Sequence, residues 1–304
     1  MKTILRFKSL SEFHSYSNLA KPEHPSISLV DYSNVNYPTD TDKIKWIQDF
    51  YSIGLKRNVS EKFNYGQQNY DFDEGVLSFV APQQTLNIQI NQNVKVNATG
   101  WLLLIHPDFL WNTALATGIK KYGFFGYAVN EALFLSEKEE HNLVALFKNI
   151  QKEYQSNIDK FSQNIIISQI ELLLNYAERY YERQFITRKI TNHQILTRLE
   201  ERLNYYFNNP EISANGIPTV SQMANDLNLS PNYLSSILKI ISGQSTQQHI
   251  QNKLIEKAKE KLSTTELSIS EIAFELGFEH PASFSKLFKN KTNSSPIAFR
   301  QSFN

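Results

Sequence analysis

Through the first third of the chain, apolar residues come in short runs separated by turn chemistry. Tyr51–Leu55, Val76–Val80, Leu86–Ile90 and Trp101–Ile105 read as strands. Tyr65-Gly66, Asp73-Glu74-Gly75, Ala81-Pro82 and Asn97-Ala98-Thr99-Gly100 punctuate them. Short strands at this spacing predict a small antiparallel barrel or sandwich reaching to about residue 135. From Glu137 onward the period becomes helical. Ser136 with Glu139 three residues on reads as a capping box, and Leu143, Leu146, Phe147 and Ile150 recur at helical steps. A helix over about Lys160 to Glu182 carries one apolar stripe of Ile166, Ile170, Leu173, Ala177 and Tyr180, and a second of Ile165, Leu172 and Tyr176. A helix apolar on two sides needs two partners. Either both lie in its own domain, or one is a dimer mate. Residues 186–192 (ITRKITN) read as a linker. Another amphipathic helix, with Ile195, Leu199, Leu203 and Tyr206 on one face, stops before Asn208-Asn209-Pro210.

The last third contains an internal repeat. Thr219 with Gln222, and Ser268 with Glu271, are two capping boxes. Behind them come Val220, Met223, Ala224 and Leu227 in one case and Ile269, Ile272, Ala273 and Leu276 in the other, at identical steps. Each set meets a tight break: Asn228-Leu229 before Ser230 and Pro231, and Gly277-Phe278-Glu279-His280 before Pro281. Matching apolar triplets follow, Leu234, Ile237, Leu238 and Phe284, Leu287, Phe288. Five residues past each triplet sits a residue tolerant of left-handed backbone, Gly243 and Asn293. Val220 to Ile269 is 49 residues and Leu234 to Phe284 is 50, so the second copy has one extra residue in its turn. Helix, three- or four-residue turn, helix, with a small alanine at the crossing, is helix-turn-helix geometry. Between the copies Ile250, Leu254, Ile255, Ala258 and Leu262 predict a connecting helix of about eighteen residues, about 27 Å long. Successive major-groove turns lie about 34 Å apart. Paired helical hairpins also occur in protein-binding repeats, which leaves a scaffold as the alternative.

Composition narrows the field. The 304 residues suit about two domains, and 41% apolar with 20% charged residues is ordinary globular usage. The absence of cysteine rules out disulfides and thiolate metal sites, and fits a reducing cytoplasm. Apolar stretches fall short of the roughly 18 residues a membrane span needs, and the N-terminus has no apolar core of signal-peptide length. A net charge of +1 says nothing about nucleic acid, but after Glu279 there are no acids, while Lys286, Lys289, Lys291 and Arg300 follow.

Residues from about Asn192 to Asn304 resemble the AraC/XylS-type transcription regulators of bacteria. The second copy carries most of the resemblance: Ser268-Ile269-Ser270-Glu271-Ile272-Ala273, Gly277-Phe278, Phe284-Ser285-Lys286-Leu287-Phe288-Lys289, Ser295-Pro296 and Phe299-Arg300. The first adds Ala224, Leu227, Ser230-Pro231-Asn232-Tyr233-Leu234, Lys239, Gly243 and Ile250. Asn293 departs from the family's usual glycine. The resemblance implies double-stranded DNA as partner and two recognition helices in adjacent major grooves. One would present Asn232, Ser235, Ser236 and Lys239, the other Ala282, Ser283, Ser285, Lys286 and Lys289. Asn232 suits adenine N6 and N7, and Lys286 suits guanine O6 and N7. Ala282 suits a thymine methyl, the serines suit phosphates or water-mediated contacts, and Lys239 and Lys289 suit phosphate. Tyr233 reads as packing and Arg300 as a helix-end contact.

The family often joins this part to a cupin-like barrel that senses a small molecule or dimerises. The expected architecture is therefore α+β in two domains. Residues 1–185 form a cupin-like sensor or dimerisation domain (a small β-barrel to about 135, helices 136–184), with a linker over 186–192. An all-α DNA-binding domain over 193–304 has helix-turn-helix units at 219–239 and 268–289. Its expected partners are DNA, a small effector, RNA polymerase if it activates, and a second copy of the chain along about 160–182. No cofactor, metal, membrane or enzymatic activity is expected. The competing reading, a cupin-type enzyme with a helical accessory domain, lacks its metal set: His14, His24, His106 and His141 include no pair two apart. Trp46, Phe50, Tyr51, Phe79 and Trp101 read as barrel core or, alternatively, as the lining of an apolar pocket.

Overall fold

In a computed structural model the four runs read as strands fall in β4, β5, β6 and β7 of the eight strands found among the described residues, β1 (Ile4–Phe7), β2 (Ile27–Asp31), β3 (Ile44–Gln48), β4 (Tyr51–Arg57), β5 (Gly75–Val80), β6 (Thr85–Ile88), β7 (Thr99–Ile105) and β8 (Leu133–Leu135). The structure describes residues 4–35, 44–57, 75–88, 99–128, 131–156, 159–187, 189–209 and 216–302. The turns read at Tyr65-Gly66, Asp73-Glu74 and Asn97-Ala98, the last two residues of the Leu86–Ile90 run, residue 188 and Pro210 lie outside them. The chain divides into two units, Met1–Gln184 and Phe185–Asn304.

In the first unit, β2-β7-β4-β5-β8 make a five-stranded antiparallel sheet. A second sheet, β1-β3-β6, pairs β1 and β3 in parallel. Leu102 to Ile105 are buried without a break because both faces of β7 are covered. On one face Leu102 and Leu104 join Val30, Val80, Phe7, Phe13, Trp46 and Phe50. α1 (Leu10–Tyr16), capped by Ser9, supplies Phe13 to this cluster. A single turn, α2 (Leu115–Gly118), follows β7. α3 (Glu137–Tyr154) starts at the predicted Ser136–Glu139 box and buries Leu143, Leu146, Phe147 and Ile150.

The expected closed barrel is corrected here: among the described residues the strands form two sheets, neither of them closed. A strand could close the sheet only by pairing with the free edge of β8, and that edge is occupied. α4 (Ser162–Thr187) brings Gln184 to accept from the Phe134 N–H at 2.8 Å, and Arg183 to donate to the Phe134 carbonyl at 2.7 Å. Arg183 also forks onto Glu139 at 2.6 and 2.9 Å, tying α4 to α3. The first predicted stripe of α4 (Ile166, Ile170, Leu173, Ala177 and Tyr180) is buried. In the second, Ile165 and Leu172 are each 43% exposed, beside Phe161 at 56%. The five aromatic residues grouped by sequence are dispersed. Trp46 and Phe50 sit in the Phe13 cluster, Tyr51 and Phe79 pack on Phe125, and Trp101 stacks on Phe147. His14 is buried with Nδ1 on the Ala20 carbonyl (2.6 Å) and Nε2 on Ser28 Oγ (2.9 Å), and His106 caps the turn at Pro107.

The second unit is helical. The segment read as a linker is helical as well where it is described: α4 runs to Thr187 and α5 (Lys189–Asn208) follows. Buried Asn192 donates to the Phe185 carbonyl at 2.5 Å, which satisfies a carbonyl at the end of α4. α5 buries Ile195, Leu199, Leu203 and Tyr206. Next come α6 (Val220–Asp226), α7 (Pro231–Ser242), α8 (Thr246–Thr264), α9 (Ile269–Glu275), α10 (Pro281–Thr292) and α11 (Pro296–Gln301). α5 packs against α6, α7 and α8; α9 and α11 pack against α8. No helix among the described residues is long and apolar enough to cross a membrane.

Candidate nucleic-acid interface

Each hairpin begins with a reciprocal cap. The Thr219 hydroxyl accepts from the Gln222 N–H at 3.2 Å while the Gln222 side chain accepts from the Thr219 N–H at 2.7 Å. Ser268 and Glu271 repeat the exchange at 3.2 and 2.7 Å. Hydrogen bonds from the Ser268 N–H and hydroxyl hold the Glu271 carboxyl below the usual carboxylate range. Both first helices end in the same reversal. Leu229 N–H reaches the Ala224 carbonyl and Phe278 N–H the Ala273 carbonyl, each at 2.9 Å, around a left-handed residue, Asn228 (φ 58°) or Gly277 (φ 86°). Ala224 and Ala273 are fully buried where the helices cross.

The second helix of each hairpin turns its apolar side inward. α7 buries Tyr233, Leu234, Ile237 and Leu238; α10 buries Phe284 and Phe288. Tyr233 packs edge-on against Phe185 at 5.3 Å, so it is a core residue. Ser230 caps α7 by accepting from the Tyr233 N–H at 3.2 Å, while His280 precedes α10 without a side-chain cap bond. Gly243 and Asn293 end the two helices at φ 73° and 57°, so asparagine supplies the left-handed residue where glycine is usual.

The opposite faces hold the residues singled out from sequence. On α7, Asn232 and Lys239 are exposed, and Ser235 and Ser236 are half-buried. On α10, Ala282, Ser283, Lys286 and Lys289 are exposed and Ser285 is half-buried. Each set lies on one side of its helix, away from the buried residues. Neither helix contains an acid, and α10 adds Lys291. The Ser235 hydroxyl is 3.0 Å from that of buried Thr246, so it fastens α7 to the first turn of α8. Arg300 donates from Nε to the Leu262 carbonyl at 3.2 Å, a cation at the C-terminal end of α8.

The repeat is longer than its sequence pattern suggested. Ser242 Oγ donates to the Leu238 carbonyl and receives the Gln244 N–H. Thr292 Oγ1 likewise donates to the Phe288 carbonyl and receives the Ser294 N–H. Ser245 then caps α8 and Ser295 caps α11, both 50 residues apart like the second helices. Each unit is thus three helices, and α8 serves as third helix of the first unit and as connector to the second. The serines at 245 and 295 were the available signal. A nearby histidine distinguishes the first unit: His249 Nε2 lies 2.8 Å from Ser242 Oγ. Burial pushes the His249 pKa down and Glu200 opposes the shift.

Residues 223–302 match the domain family described as Helix-turn-helix domain. The C-terminal domain is a helix-turn-helix domain of the AraC/XylS type. Over 143 residues, 47% of its length, the chain is 32% identical to the uncharacterized HTH-type transcriptional regulator YfiF of Bacillus subtilis, covering 42% of that protein. Over 84 residues, 28% of the chain, it is 34% identical to the raffinose operon transcriptional regulatory protein RafR of Pediococcus pentosaceus, covering 30% of it. The chain therefore spans less than half the length of either curated relative. Among solved structures, the C-terminal domain of the response regulator yesN from Fusobacterium nucleatum is 34% identical, over 33% of this chain and 96% of that one, with a TM-score of 0.29. Among the described residues no three His, Cys, Asp or Glu side chains converge as a metal set.

Proposed function

We propose that the chain is a sequence-specific DNA-binding transcription regulator that lays α7 and α10 into two successive major grooves. The observation carrying this reading is the outward face of the repeated second helix. Both copies present short polar groups and lysine, without any acid, on a scaffold whose opening capping boxes and helix reversals match hydrogen bond for hydrogen bond. The AraC/XylS-type domain and the regulatory names of its relatives support it. Asn232 and Ser236 read bases from α7 with Lys239 on phosphate, and Ser235 sets the helix position through Thr246. On α10, Ala282, Ser283, Ser285 and Lys286 face the bases and Lys289 the backbone.

The N-terminal unit modulates this binding, through a small effector or through pairing of two copies along α4. The exposed Phe161, Ile165 and Leu172 support the pairing. The protein acts in the cytoplasm, and RNA polymerase becomes a partner where the bound site activates a promoter. The test is selection by the full-length chain from a pool of randomised DNA duplexes. A two-part motif is expected, with Asn232→Ala or Lys286→Ala weakening binding to it by roughly five- to 150-fold, the equivalent of about 1–3 kcal/mol per base contact. Enrichment of no motif overturns the reading.

A further inference from the structure

The turn of the second hairpin touches more than its own helices. Gly277, at φ 86°, lies so close to the segment entering the first hairpin that a Cβ there would stand 2.6 Å from the Gly216 carbonyl carbon and 2.9 Å from the Ile217 nitrogen. Gly216 is itself left-handed at φ 101°. The Tyr206 hydroxyl, from the last turns of α5, donates to the Gly216 carbonyl at 2.7 Å and holds the segment in place. In the matched turn of the first hairpin, Asn228 occupies the same left-handed position with a full side chain. Backbone conformation alone therefore does not require glycine at 277; the close approach of Gly216 does.

We propose that the Tyr206–Gly216–Gly277 contact is a brace that fixes the distance between the two recognition helices, and thereby the spacing of the two half-sites the chain accepts. This rests on the DNA reading above. Without the brace the second hairpin is held mainly through α8, a helix of 19 residues and about 28 Å. A swing of about ten degrees on a lever of that length displaces its end by about 5 Å, more than the roughly 3.4 Å step of one base pair. α5, which bears Tyr206, packs on all three helices of the first unit, so the brace joins that unit directly to the reading turn of the second. Tyr206 and Gly277 are positioning residues: neither belongs to the outward faces of α7 and α10.

The experiment repeats the duplex selection with Tyr206→Phe, which removes one hydrogen bond, and with Gly277→Ala, which drives Gly216 away. Helical circular dichroism verifies that each variant is folded. Both variants are expected to keep the base preferences of each half while the spacing between halves spreads by one or two base pairs. For the duplex the wild type selects, inserting one base pair between the halves is expected to weaken wild-type binding about 100-fold and Tyr206→Phe binding less than about tenfold, since one pair rotates and shifts a half-site by about a tenth of a turn. If folded Tyr206→Phe reproduces the wild-type spacing and insertion penalty, the brace is overturned while the DNA reading stands. A wild type that enriches no motif overturns the DNA reading, and this result is obtained before any variant is tested.

Discussion

Where the first hairpin unit has Leu229, Leu234, Leu238 and His249, the second has Phe278, Phe284, Phe288 and Phe299 at matched places. In the second these rings form a continuous chain of tilted and edge-to-face contacts, with centroids 5.4, 5.8 and 5.4 Å apart. Yet both units keep the same opening capping boxes, reversals and left-handed terminators. The frame is set by short-range hydrogen bonds and φ requirements, and its filling varies widely if the volume is packed. Outer faces vary independently too: α7 carries one lysine and α10 three.

The largest effect expected is on the aromatic filling. Phe288→Ala should remove about 3–5 kcal/mol from the second unit. Trp46, Trp101 and Trp111 all lie in the N-terminal unit. The helical circular-dichroism transition in urea should therefore shift while tryptophan fluorescence holds its midpoint. A common shift would break the separation of units. Next comes charge. Replacing Lys286, Lys289 and Lys291 together by glutamine should lower the slope of log affinity against log salt by about 2.7, against about 0.9 for Lys239→Gln, at about 0.9 per phosphate contact. Equal slopes would remove the asymmetry. Smaller again is capping. His280→Ser should stabilise the second unit by about 0.5–1 kcal/mol, whereas Ser230→Ala should cost the first about 1 kcal/mol, both read by thermal melting. The smallest effect is a pH dependence confined to the first unit. The folded state favours neutral His249, so below its ordinary pKa of about 6.5 the unfolded chain binds more protons. Stability should fall as pH drops through 6.5, and His249→Phe, matching Phe299, should flatten that part of the profile.

The hairpins were legible because their information is local: a cap, a box, an alanine, a left-handed residue, each within a few positions of its partner. Tyr233 as packing and Arg300 as a helix-end contact were legible for the same reason. β1 and α1, each of seven residues or fewer, offered too little pattern to read. Barrel closure depends on whether β8 finds another strand or α4, a choice made 50 residues away by Arg183 and Gln184. The Gly216–Gly277 approach joins two backbones 61 residues apart and leaves no periodic trace. For the outward residues, sequence indicated the helix face, but the commitment of Ser235 to Thr246 required coordinates.

The side chains lying along β8 have a bearing on self-association. An unpaired strand edge is a template on which a strand of another molecule can add, and growth by repeated addition leads to fibrous or amorphous precipitate. Here one guanidinium and one amide cover the Phe134 backbone, so the sheet offers no complete row of bonding groups on that side. A fragment ending before Arg183 would lose this cover, and should precipitate where one ending after Thr187 stays dispersed.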